Sequence, residues 1–238
     1  MLLLVASILV LFLLNLFLGS VHIPMDSIWN ILWGLDGDES VIWQNIIWKS
    51  RIPQSLTALV AGAGLAVSGL QMQTVFRNPL AGPSVLGISS GASLGVAFVV
   101  LLSGSIGGIA LSRLGFMGEI ALTVAAIVGA LSVMALIVYV SQKVHGNVTL
   151  LIIGVMIGYV ANAVIGVLKF FSVEEDIRAY VIWGLGSFAR VSGNQVTVFI
   201  CIMAVLLPLS FLLIKTLNLL LLGDAYARNL GLNIKRAR

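Results

Sequence analysis

Six stretches of the chain are apolar for long enough to cross a bilayer, and segments richer in polar residues, glycine or proline separate them. They cover approximately residues 2–19, 53–74, 84–103, 117–141, 149–169 and 194–215, and none carries a charge near its middle. A hydrocarbon core of about 30 Å takes about 20 residues of helix to cross. Runs of this length, rich in Leu and Val, predict helices and not the short alternating strands of a barrel. The first run, MLLLVASILVLFLLNLFLGS, has no basic segment ahead of it and no clear small-x-small cleavage site. It is therefore expected to stay in place as an uncleaved anchor.

Composition strengthens this pattern. Of the 238 residues 60% are hydrophobic and 9% charged, with a mean hydropathy of +1.12, whereas a soluble domain carries roughly 25% charged residues. So little polar surface cannot be wetted all round, so the fold class expected is all-α and polytopic, with the lipid bilayer as solvent. The net charge of +4 gives no nucleic-acid signal, because the basic residues are scattered except for Lys235, Arg236 and Arg238. Cys201 is the single cysteine, inside an apolar run, which excludes an internal disulfide.

Six spans put both termini on one side. That side holds Arg77, Lys143, Lys215, Arg228, Lys235, Arg236 and Arg238, against Lys49, Arg51, Arg113, Lys169, Arg178 and Arg190 opposite. The acidic residues are more lopsided: Asp224 lies on the first side, and Asp36, Asp38, Glu39, Glu174, Glu175 and Asp176 are among those across. The basic excess points to a cytoplasmic N-terminus.

Small residues recur with helical spacing. Gly87, Gly91 and Gly95 fall four apart, and Gly154, Gly158, Asn162 and Gly166 do the same in the fifth run. Such stripes let a neighbouring backbone approach closely. They read either as helix packing or as a small-residue wall beside a translocation path. Asn162, polar and near the middle of its span, favours the second reading.

Between the second and third runs, RNPLAGP must turn, since Pro79 and Pro83 cannot continue a helix. Arg77 and Asn78 then sit at the turn, where an interfacial position spares the charge from hydrocarbon. Near the C-terminus, Asp224 can cap a short helix, Asp224 and Arg228 are spaced for a pair, and Gly231 can close it with a positive φ. So short a helix is unstable alone in water. Its apolar Leu222, Ala225, Ala227 and Leu230 must rest on this chain's own helices or on a partner. VEEDIRAYVIWGLGSF is too short and too charged to span, and predicts an interfacial helix with Tyr180 and Trp183 at headgroup depth.

The string RIPQSLTALVAGAGLAVSGLQMQTVFRNPLAGPSVLGISSGASLG, residues 51–95, resembles the signature of permease subunits of ABC importers for iron-siderophores, haem and cobalamin. LLIIGVMIG, DIRAYVIWGLGSF and LNLLLLGDAYARNLGLN follow in the family's order. The resemblance implies a dimer of ten-helix subunits, a homo- or heterodimer, around a central path. It also implies two cytoplasmic ABC ATPases and a periplasmic or lipoprotein substrate-binding protein. By the same resemblance, residues 1–238 form one permease domain and residues 217–233 the cytoplasmic coupling-helix region. Leu222, Gly223, Asp224, Ala225, Ala227, Arg228, Leu230 and Gly231 would dock the ATPase. Arg51 would lie on the periplasmic face and pair with a binding-protein carboxylate, although Gln54 stands where the family often has a second basic residue. Asn147 and Val148 match the cytoplasmic gate, where some relatives have a small hydroxyl residue. Gly87, Gly91, Gly95, Gly154, Gly158 and Asn162 would line the path or pack beside it. The match resembles the first six helices of such a permease and stops just after the coupling region.

Other classes find less support. No GxxxxGK[ST] loop is present, so the chain is not expected to be an enzyme, and ATP hydrolysis would fall to a separate subunit. His22 and His145 have no ligand-spaced partners, so neither a metal site nor a cofactor is expected. An ion-coupled carrier would place an acid, lysine or histidine inside a span, and none sits centrally here. An assembly subunit without transport of its own stays open as an alternative.

Overall fold

A computed structural model describes residues 1–35, 41–106, 116–144, 146–188, 191 and 193–234. Asp36, Asp38, Glu39, Arg113, His145, Arg190, Lys235, Arg236 and Arg238 lie outside the described residues. The helices are α1 (Leu2–Phe17), α2 (Met25–Trp33), α3 (Val41–Ile46), α4 (Ile52–Phe76), α5 (Ile88–Ile106) and α6 (Phe116–Ser141). They continue as α7 (Asn147–Phe171), α8 (Glu174–Leu185), α9 (Gly193–Ser210), α10 (Ile214–Leu221) and α11 (Asp224–Asn229). A wide turn over Ile47–Arg51 joins α3 to α4, so that Val41–Phe76 is one continuous helical rod of 36 residues.

Among the described residues, four segments are long and apolar enough to cross a membrane: Val41–Phe76, Met117–Ser141, Val148–Phe171 and Gly193–Leu221. These hold four of the six predicted spans. The other two are shorter than their apolar runs. α1 has 16 residues, about 24 Å at 1.5 Å per residue. α5 starts at Ile88 and not at residue 84, because Pro83 and a positive φ of 75° at Gly87 wind residues 84–87 into a turn. The last run departs in another way. Pro208 lies inside α9 and removes one helical donor, and the helix tightens over Phe211–Leu213 before α10 resumes.

The chain, expected as one permease domain, divides into two compact units, with the divisions falling inside α4, just after α8 and at the start of α10. One unit joins Met1–Val67 to Ser187–Leu213; the other joins Ser68–Gly186 to Ile214–Arg238. In the first, Ile23, Ile28, Ile31 and Ile47 form a small core capped by Phe17, Trp43 and Ile52. In the second, α5 packs against α6, α7 and α8. Val96, Ala97, Val100 and Leu101 of α5 meet Ile165 and Tyr180 in one cluster, and Ala81 and Leu86 meet Val133, Ile137 and Leu151 in another.

The α5–α6 crossing shows what the first small-residue stripe does. A methyl group on Gly91 would lie 2.7 Å from the Gly129 carbonyl oxygen, and one on Gly95 would press still closer to that of Ala125. Backbone therefore meets backbone, as glycine permits. Outside these cores the large apolar side chains are exposed, among them Leu131 at 61%, Val160 at 64% and Val205 at 65%. Water would not tolerate such a surface; lipid or further helices would.

Candidate functional site

The predicted docking helix forms as α11, and its end is shaped by sequence. Leu232 N–H donates to the Ala227 carbonyl and Gly231 N–H to that of Arg228, both at 2.9 Å, with Gly231 at φ 85°. This pair of bonds is the Schellman closure that glycine favours at the position after the cap. Its start differs from expectation. Gly223, at φ 105°, takes the N-cap position, and Asp224 is the first helical residue. The Asp224 side chain lies outside the described ones, and with it the expected pair with Arg228. Ala227 is fully buried. Leu222, Tyr226 and Leu230 are 60%, 68% and 59% exposed, and Ala225 and Arg228 are exposed too. One residue thus anchors the helix while an apolar face with an aromatic points outward. Tyr226 was not singled out from the sequence; its place beside the other exposed residues emerges only when the helix is seated on Ala227.

The RNPLAGP turn lies in the same unit. α4 closes with Asn78 N–H donating to the Gln73 carbonyl at 3.1 Å and Arg77 N–H to that of Thr74 at 3.3 Å. Arg77 therefore occupies the place glycine usually takes, at φ 49°, a left-handed conformation that costs a residue with a Cβ roughly 1–2 kcal/mol. Its Nη2 donates to the Leu220 carbonyl at 2.9 Å. Beyond it the turn holds itself: Asn78 Oδ1 accepts from Leu80 N–H at 2.9 Å, and Ala81 N–H donates to the Asn78 carbonyl at 3.0 Å.

The turn ends at an open pocket of about 230 Å³ lined by Ser84, Gly87, Ser90, Gly154, Gly158 and Asn162, with Val85, Val155 and Tyr159. The second glycine stripe thus faces the start of the third run. A methyl on Gly154 would fall 2.7 Å from Leu86 Cα, and one on Gly87 would fall 2.7 Å from the Gly154 carbonyl oxygen. On Gly166 it would meet nothing within 4 Å. Gly87, Gly154, Gly158 and Asn162 are thereby brought together at one pocket, whereas Gly91 and Gly95 are taken up by the contact with α6.

Arg51 belongs to the other unit and is 5% exposed. Its guanidinium donates to the carbonyls of Leu16 and Phe17, the last turn of α1, and to that of Val21. A cation suits that helix end, where carbonyls lack internal donors. The side chain expected to meet a partner's carboxylate is here committed to its own main chain. Asn147 and Val148 open α7 behind Gly146; Val148 is 69% exposed, and the Asn147 side chain lies outside the described ones.

The FecCD transport family profile matches residues 7–238. The chain belongs to the FecCD transport family. It is 35% identical over 234 residues, 97% of its length, to the hemin transport system permease protein HmuU of Yersinia pestis. To the vitamin B12 import system permease protein BtuC of Pectobacterium atrosepticum it is 33% identical over 89% of its length. A solved structure described as an inward-facing conformation of a metal-chelate type ABC transporter superimposes with a TM-score of 0.74 at 28% identity, covering 96% of this chain. The chain spans 67%, 59% and 66% of the length of these three.

Within this FecCD-family chain α8 forms as the short helix expected after the fifth span, with Glu174, Glu175 and Asp176 in its first turn. Asp176 is 5% exposed, and its Oδ2 has no hydrogen-bond partner among the described residues. Burial first, and the neighbouring Glu175 second, hold its carboxyl above the ordinary 3.8. Burial likewise raises the Tyr180 phenol, opposed by a hydrogen bond with Ser93. The folded chain therefore binds the Asp176 proton more tightly than the unfolded one. That stability is complete below the unfolded value and is lost as pH rises through the folded one. Asp176→Asn is expected to raise the thermal midpoint at pH 7 and to converge with the wild type near the unfolded pKa, as detergent-solubilised melts at the two pH values would show. A lower midpoint for the variant at pH 7 would contradict this assignment.

Proposed function

We propose that this chain forms part of the transmembrane path of an ABC importer for metal chelates of the haem and cobalamin kind. It lies in the bacterial inner membrane, with its N-terminus and α11 on the cytoplasmic side. A separate ATPase supplies the energy, a substrate-binding protein delivers the cargo, and a second permease subunit completes the path. The observation that carries the docking part is α11, a six-residue helix anchored through Ala227 that leaves Leu222, Tyr226 and Leu230 outside. An exposed aromatic between two leucines is the composition of an interface centre. The cargo class rests on the FecCD relatives, haem and vitamin B12 permeases among them.

Substituting Tyr226 by Asp tests the docking face. Burying an unpaired carboxylate at an interface core is expected to weaken ATPase association by about 100-fold, roughly 2.7 kcal/mol, measured by co-purification of the tagged full-length permease with its ATPase. The thermal midpoint of the permease alone should hold, since Tyr226 is exposed. Undiminished co-purification would remove α11 from the docking surface.

A further inference from the structure

The turn at Arg77 joins two features that lie far apart in sequence. On one side its guanidinium reaches the carbonyl of Leu220, a 1%-exposed residue at the end of α10, three positions before the N-cap of α11. On the other side the same turn runs through Ser84 and Gly87 into the pocket wall opposite Gly154 and Gly158. The segment between is seated by Ala81 and Leu86, 3% and 2% exposed, against Val133, Ile137 and Leu151. It is therefore a packed element and not a slack loop. The residue that makes the link also holds a left-handed backbone at a position where glycine would be relaxed. A side chain retained against its own backbone preference points to a use for that side chain.

We propose that Arg77 is a positioning residue that makes the base of α11 and the pocket wall move together. A displacement of α11 is carried by the Leu220 carbonyl to the guanidinium, and from there along residues 78–87 to the small-residue contact with α7. This rests on the reading that α11 docks the ATPase. The link itself is tested separately from that reading.

The variant Arg77→Gly keeps the backbone conformation and removes the guanidinium, while Arg77→Lys keeps one charged donor. Hydrogen exchange of the full-length permease without any partner reads the link. In Arg77→Gly, amides of 222–232 are expected to exchange about tenfold faster, as the loss of the charge-assisted bond to the Leu220 carbonyl implies. Arg77→Lys should be intermediate. In the complete importer, Arg77→Gly should still co-purify with its ATPase and hydrolyse ATP at the basal rate, but spend about tenfold more ATP per chelate moved. Unchanged exchange, or an unchanged ratio of ATP to chelate, would overturn the proposal. Loss of ATPase binding in Arg77→Gly would overturn it too, since the residue would then shape the docking face and not transmit from it. Should the wild-type permease bind no ATPase, the docking reading fails, and the exchange result alone decides whether Arg77 holds the base of α11.

Discussion

Gly95→Leu is expected to separate α5 from α6. The leucine Cβ would press into the Ala125 carbonyl and lie 3.2 Å from Gly129 Cα, and both neighbours are backbone, with no rotamer to yield. Overpacking of this kind costs about 1–3 kcal/mol. Here the helices must also move apart along a crossing where Gly91 and Gly129 are equally close, so further contact is lost. For a chain of this size a loss of about 3 kcal/mol lowers the melting point by roughly 10 °C. Gly166→Ala is the internal control. Its Cβ meets nothing within 4 Å, and alanine improves helix propensity by about 1 kcal/mol, so its midpoint should stay or rise. Melts of the detergent-solubilised variants would check both; equal midpoints for Gly95→Leu and wild type would mean that α5 and α6 do not cross as described.

Arg51→Met should release α1. The methionine has nearly the same reach but no donors, so the carbonyls of Leu16, Phe17 and Val21 lose their partner. A buried acceptor left unsatisfied costs about 1–3 kcal/mol; that of Leu16 is buried, and those of Phe17 and Val21 are partly so and lose less. Arg51→Lys supplies one ammonium in place of a fork and should recover only part of the loss. The effect should be local: limited proteolysis between residues 18 and 24 is expected to quicken strongly in Arg51→Met and modestly in Arg51→Lys. Resistance equal to wild type in both would show that α1 is held by other means.

These two sites mark where reading from sequence succeeds and where it stops. The apolar runs locate the long helices because membrane helices are written as composition over about 20 residues. Gly231 announced the end of α11 because a glycine just after a short helix has one common use. The glycine stripe of α5 was visible at its spacing of four. Gly129, its counterpart on α6, has Ala125 and no second glycine at that spacing, and was missed. Arg51 read as a docking charge because its acceptors are main-chain carbonyls 30 to 35 residues earlier, and carbonyls carry no sequence signal. Arg77 hid its positive φ for a related reason: an arginine at a glycine position looks like a polar turn residue until the far carbonyl is seen. Helices α2 and α3 went unread because they are only nine and six residues long, too short for a helical period to stand out between the first two apolar runs.

Uptake in proteoliposomes is the most direct test of the transport reading. The full-length permease, its partner subunit and its ATPase would be reconstituted, with the binding protein loaded with haem, cobalamin or an iron chelate. One of these cargos is expected to accumulate inside only when ATP is hydrolysed, and to stop accumulating when Tyr226 is replaced by Asp. Accumulation that proceeds without ATP, or the absence of ATP-driven uptake of any chelate by an assembled complex, would contradict an ABC importer role for this chain.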